Sequence, residues 1–195
     1  MFAGSRIVTV AIFAALVFGA TLCAGASFAS SATPPQFRWL VPAPAPSGWK
    51  HSSLPSGGAI LAYPPSLVPI RGDKTSVSVA KRDASKRILV YLNATPKQGN
   101  ESLRNWPDFR IAHARSEDDA VHEDARALGL SFLGGKGSCL IDHYATRVHV
   151  NHYREIACFV QGHTTASVVV AAALESEWTR VAPLLERAVS AYRVT

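Results

Sequence analysis

The chain has 195 residues, room for one domain with accessory segments, and its 48% hydrophobic against 17% charged residues exclude an intrinsically disordered polypeptide. The net charge of +6 is spread thinly, and the densest cluster, Lys81, Arg82, Lys86 and Arg87, is interrupted by Asp83. That argues against a nucleic-acid-binding stripe and leaves a weak association with an anionic membrane or wall polymer as the electrostatic option.

Residues 1–32 have the three parts of a cleavable export signal. Arg6 is the positive start, Ile7–Ala20 is an unbroken apolar run, and small residues follow. The run is shorter than the roughly 20 residues a membrane-spanning helix needs. Cleavage is expected after Ala26, Ala29 or Ala32. Cys23 follows Ala20-Thr21-Leu22, a poor lipobox, so lipidation there and retention as an uncleaved anchor are the lesser alternatives. Residues 33–47 form a Pro/Ala-rich linker whose composition favours extended polyproline II. Phe37, Arg38 and Trp39 interrupt it and offer either a docking point on the domain or an N-terminal contact.

The domain proper is expected over 48–195. Trp49–Leu54 reads as a short edge strand ended by Pro55-Ser56-Gly57-Gly58, and Ala59–Tyr63 as a strand closed by Pro64-Pro65. Thr75–Ala80 alternates as a half-buried strand should, and Ile88–Ala94 follows the turn at Asp83-Ala84-Ser85. Leu103, Trp106, Phe109 and His113 recur at helical spacing behind a candidate N-cap at Asn100, with Glu101 in the first turn. Pro107 predicts a kink or break there, and Glu117-Asp118-Asp119 ends the helix. Leu128–Leu133 reads as a strand and Gly134–Gly137 as a tight turn. Leu140–Ala145 and Tyr153–Val160 form the arms of a hairpin, and Thr165–Ala173, the most apolar strand, belongs at the centre. Glu175–Tyr192 is the clearest helix, with Trp178, Val181, Leu184, Leu185, Ala188 and Val189 on one face. Pro183 predicts that its regular part starts near Val181. Turns between consecutive strands are too short for parallel crossovers. The expected fold class is α+β, an antiparallel sheet of about six to seven strands packed with two main helices.

Cys139 and Cys158 remain once the signal is removed. In an oxidising compartment such a pair reads as one disulfide, and the hairpin register places the two opposite each other; buried free thiols are the alternative. Neither C-x-x-C redox spacing nor zinc-ligand spacing is present. The same register sets Asp142 against Glu155 and His143 against Arg154, with His152 diagonal to His143. Opposed carboxylates repel unless a cation or a raised pKa intervenes. His143, His149, His152 and His163 would be the residues of any metal or acid–base chemistry; their expected role is that of hydrogen-bonded or solvated strand residues. Gly134-Gly135-Lys136-Gly137-Ser138 lacks phosphate-loop spacing and leads into a strand, and there is no G-x-S-x-G. No catalytic, cofactor-binding or metal-binding residue is expected.

Several signatures resemble the PsbP-like group. They are Gly48-Trp49 at the start of the domain, Leu61-Ala62-Tyr63-Pro64-Pro65-Ser66, Tyr91-Leu92-Asn93-Ala94-Thr95-Pro96 before the helix with Trp106, the Gly134-Gly135 hairpin and the final Trp178 helix. Over about 48–194 the chain is similar to that group, and within it to exported actinobacterial lipoproteins of the LpqN/LpqT type. The resemblance implies a PsbP-like sandwich without catalysis or cofactor, in a group whose members bind or position other proteins. The expectation is a secreted or cell-envelope protein-binding module whose partner is an envelope or extracellular protein and not a nucleic acid. A small-ligand carrier with a pocket between helix and sheet is the alternative. An envelope hydrolase or metal-dependent enzyme on the His-rich hairpin is the more distant one.

Overall fold

The computed structural model describes residues 33–195. The expected export signal, with its candidate cleavage positions Ala26, Ala29 and Ala32, and Cys23 lie outside the described residues. The elements are β1 (Lys50–Ser53), β2 (Ala59–Tyr63), β3 (Val68–Pro69), β4 (Val77–Arg82), β5 (Ile88–Pro96), α1 (Trp106–Glu117), β6 (Asp119–Phe132), β7 (Gly135–Ala145), β8 (His152–Gln161), β9 (Ala166–Leu174), α2 (Glu175–Ser190) and β10 (Arg193–Val194). Seven strands form one sheet in the order β3-β4-β5-β9-β8-β7-β6, and β1, β2 and β10 form a second. Every named strand pair is antiparallel, so the fold is an α+β sandwich.

Strand alternation sorts the side chains of the large sheet into two faces. On the inner face Leu92, Ile141, Ile156, Cys158 and Val169 pack against Leu61 of β2 and Val181, Leu185 and Ala188 of α2. On the outer face Leu140, Ala157, Phe159 and Val168 meet Trp106 and Ile111 of α1. Apolar β9, rich in Val and Ala, lies fourth of the seven strands, flanked by β5 and β8, with its inner face in the core and its outer face partly covered. The Pro/Ala segment is not a free spacer where its aromatic residues lie. A short 3-10 turn over Pro35–Phe37 delivers Phe37, fully buried, to the inner core, and the amide of Ala43 donates to the Ser190 carbonyl at 3.1 Å.

Three local expectations are corrected. Helix α1 starts at Trp106 with Asn105 as its cap, so Pro107 falls in the first turn, where its missing N–H breaks no bond and no kink results. Asn100 instead precedes the helix, and Glu101 is buried there, accepting the amides of Gln98 at 2.7 Å and Gly99 at 2.8 Å. Burial pushes the Glu101 carboxyl up, but those amides and its own outweigh it and hold it below its ordinary value. Helix α2 begins at Glu175 and runs through Pro183. Pro183 and Thr179, whose carbonyl loses its helical partner, are both exposed, so water can serve that oxygen. Strand β6 begins at Asp119, well before Leu128. It is an edge strand with three irregularities in register, and these destroy the period of two by which a strand is read.

Candidate functional site beside helix α1

Helix α1 lies chiefly over β6, β7 and β8 on the outer face and meets β9 at Val168 under Trp106, leaving Val170 and the neighbouring part of β5 half-exposed. Its start is anchored where the Trp106 indole donates to the Ala157 carbonyl at 3.0 Å and the Ser138 hydroxyl donates to the Leu103 carbonyl just before the helix. One turn after Trp106, Arg110 projects toward β8. Its Nε and Nη2 reach Glu155 Oε1 at 2.8 Å and 2.6 Å. Glu155 is 2% exposed and stands directly opposite Asp142, which is fully buried. Neither Asp142 oxygen has a hydrogen-bond partner within the protein.

The sequence therefore predicts this opposition of carboxyl groups, and the structure supplies both of the remedies that physics allows. Burial first, and the Glu155 charge second, push the Asp142 carboxyl up to about 8, with Arg110 pulling the other way. Asp142 keeps its proton at neutral pH while Arg110 balances Glu155. Tyr144 lies two residues along on the same face, stacked on Tyr153 at 5.9 Å. Burial pushes its hydroxyl well above the ordinary range, and the Glu155 charge adds to this. Arg110 was not singled out from sequence; its position one turn beyond the anchoring Trp106 is the signal that could have found it.

Beside this cluster, where α1 leaves the sheet uncovered, runs a groove of about 430 Å³. Asn93, Thr95 and Val170 form its half-exposed floor, and Phe109, Arg110 and His113 form the helical wall. The floor is tied down from below. The Asn93 amide donates to Ser78 Oγ at 2.9 Å and to the Val77 carbonyl at 3.2 Å, and Ser78 Oγ lies 3.3 Å from the Tyr91 hydroxyl.

The remaining sequence-derived residues lie elsewhere. Cys139 and Cys158 are direct partners on the inner face, fully buried and joined at 2.12 Å, remote from the groove because the sheet lies between. His143 stands opposite Arg154 as the register requires, at the rim of the inner face. Both meet Asp124, at 2.9 Å from His143 Nδ1 and 2.9 Å from Arg154 Nη2, and Arg154 lies over the Trp178 ring at 5.4 Å. His143 stacks on His122 at 5.0 Å. His149 occupies the β7–β8 tip and His163 the turn at the far end of β8, so the four hairpin histidines are not gathered. Among the described residues no three His, Cys, Asp or Glu side chains are placed to hold a metal ion together. The expected turn over Gly134–Gly137 is corrected: only Gly134 lies in the turn, and Gly135, Lys136 and Gly137 already belong to β7, paired with Phe132, Ser131 and Leu130. Gly134 has φ +83°, and a Cβ there would stand 2.1 Å from the Val194 carbonyl oxygen.

No protein-family model and no curated protein matches the chain. Solved structures do. The crystal structure of LpqN, involved in cell envelope biogenesis of Mycobacterium tuberculosis, is similar with a TM-score of 0.48 and 10% identity over 75% of this chain and 90% of that one. The solution structure of cyanobacterial PsbP from Synechocystis is similar with a TM-score of 0.54 and 14% identity over 77% of this chain and 95% of that one. At that identity the likeness speaks for architecture: the chain has the PsbP-like fold.

Proposed function

We propose that this chain is an exported, non-catalytic binding domain that engages a partner protein through the groove beside α1. The observation that carries the reading is the incomplete cover of the outer face. Because α1 covers β9 only around Val168, Asn93, Thr95 and Val170 stay half-exposed beside Phe109, itself 36% exposed on the helical wall. An open trough with an aromatic rim suits a segment of another protein. The neighbouring ionisable groups support a non-catalytic role, since Glu155 is engaged by Arg110 and Asp142 is sealed from solvent. Export is supported by the signal pattern of residues 1–32 and by the disulfide of the mature domain. Among the described residues no helix is long and apolar enough to cross a membrane.

A second reading, a small-ligand carrier, is favoured by one observation. The groove volume of about 430 Å³ falls in the range of small-molecule sites, and polar side chains from helix and sheet converge on it. A photo-crosslinking side chain at Phe109, with a control at Leu128, an exposed apolar residue on β6, separates the readings. The binding-module reading expects one discrete polypeptide adduct from position 109 and none from 128. Equal adducts from both positions, or no adduct together with a stoichiometric small molecule in the native mass spectrum, would reject it.

A further inference from the structure

At one end of the seven-stranded sheet two turns stand side by side. Residues 83–87 join β4 to β5 and residues 146–151 join β7 to β8. Tyr153 ties them together across the end of β9, its hydroxyl donating to the Ile88 carbonyl at 2.8 Å. A cleft of about 780 Å³ runs between them, with Lys86, Arg87 and Ile88 on one side and Val148, His149 and Val150 on the other.

Val148 and Val150 are 75% and 70% exposed, the highest values of any large hydrophobic side chain among the described residues. The loop that holds them out is built. The Thr146 amide donates to the Asn151 carbonyl at 3.0 Å, the Asn151 amide donates to Thr146 Oγ1 at 3.1 Å, and His149 between the valines takes a φ of 55°. A left-handed non-glycine residue at the summit of a braced loop keeps two apolar side chains in water, a cost that folding alone does not explain. Lys86 and Arg87 line the cleft across from them, Lys81 and Arg82 end β4 on the same side, and Arg147 adjoins Val148 in the loop; all five are exposed. Asp83 is paired with Arg87 at 3.0 Å and Asp119 with Arg147 at 3.1 Å. Arg147 also caps the end of α1 at the carbonyls of Arg115, Ser116 and Asp118, so Glu117 and Asp118 gather toward the β6 edge, away from the β4–β5 turn. Glu175, at the start of α2, is the other acid near the end of β9.

We propose that this end of the molecule docks on an anionic lipid membrane, with Val148 and Val150 entering the boundary between headgroups and acyl chains and the lysines and arginines contacting headgroup phosphates. Apolar tips facing a basic turn match that boundary, which presents phosphate and hydrocarbon within a few ångströms. A hydrophilic wall polymer offers nothing to the valines, and a protein partner of this kind is commonly met by aromatic anchors, which the two tips lack. The surface is separate from the α1 groove, and its failure would leave the binding-module reading standing.

The test is co-sedimentation of the protein as recovered from its host, so that every variant carries the same N-terminus. Vesicles of phosphatidylglycerol and phosphatidylethanolamine are compared with vesicles of phosphatidylcholine. The wild type is expected to pellet with the anionic vesicles only, and less so at high salt. Val148→Asp with Val150→Asp is expected to weaken pelleting at least tenfold. Lys81→Gln and Lys86→Gln are each expected to weaken it about fivefold, the effect of roughly one kcal/mol per cation at such a surface. Lys136→Glu, exposed at the opposite end of β7, is expected to change nothing. Pelleting that ignores the valine change, or that is equal on phosphatidylcholine, overturns the proposal. So does binding to a soluble anionic polymer that survives the valine change. Self-association abolished by that change, without vesicle binding, would reassign the valines to contact between copies.

Discussion

The β7–β8 hairpin shows two different solutions on its two faces, in one register. Facing inward, Cys139 and Cys158 are joined between Ile141, Ile156 and Val160, an apolar arrangement that carries no charge. Facing outward, one residue further on, Asp142 opposes Glu155 in equal burial, and the arrangement depends on a proton and on Arg110 brought from a helix. The inner face is closed by hydrophobic burial and a covalent link, neither of which varies with pH across the neutral range. The outer face is closed by charge compensation, which does.

The largest expected effect breaks the outer arrangement. Arg110→Met leaves Glu155 buried without its cation and is expected to lower stability by about 3–5 kcal/mol in urea denaturation, with Glu155→Gln in the same background restoring most of it. A cost no greater than that of an exposed pair would mean that the two faces are less different than their contacts suggest. Next is the inner link. Cys139→Ala with Cys158→Ala removes a bridge spanning a sequence separation of 19 and is expected to cost about 3 kcal/mol, equally at pH 5 and pH 8.

Asp142→Asn sharpens the contrast through pH. The Asp142 carboxyl is at about 8 in the folded protein, above its ordinary 3.8, so between those values the folded chain binds more protons than the unfolded chain. Its contribution is fully present below the ordinary value and is lost as pH rises through the folded one. Wild-type stability is therefore expected to fall as pH rises across this window. Asp142→Asn, which cannot ionise, flattens that fall, with melting temperatures nearly equal to wild type at pH 4 and higher at pH 8. Parallel curves across the window would contradict a protonated Asp142. The smallest effect belongs to the exposed rim. Asp124→Ala removes the contacts to His143 and Arg154, both more than a third exposed, and is expected to cost less than about 1 kcal/mol in the same denaturation assay.

Much of this molecule is legible in its sequence because much of it obeys local periodicity. The alternation through β7, β8 and β9 and the turn residues between them set the register that puts Cys139 against Cys158, Asp142 against Glu155 and His143 against Arg154. The amphipathic face of α2 is read equally directly. Strand β6 is read only at its end, because its bulges break the repeat, and β3 and β10, two residues each, are too short to carry one. Of the candidate site, the carboxyl pair is visible from sequence, but Arg110 is not. Residue separation along the chain says nothing of which cation α1 will present above β8.

By itself, then, the sequence determined the class of fold and the antiparallel hairpin, since each depends on neighbours along the chain or directly across a short turn. Only the tertiary structure decided that α1 covers β9 only around Val168 and leaves a groove, that Arg110 meets Glu155, and that the basic β4–β5 turn stands beside the valines of the β7–β8 tip. Those juxtapositions join segments tens of residues apart, and they are set by which surfaces bury the most apolar area together, a property of the whole packed chain.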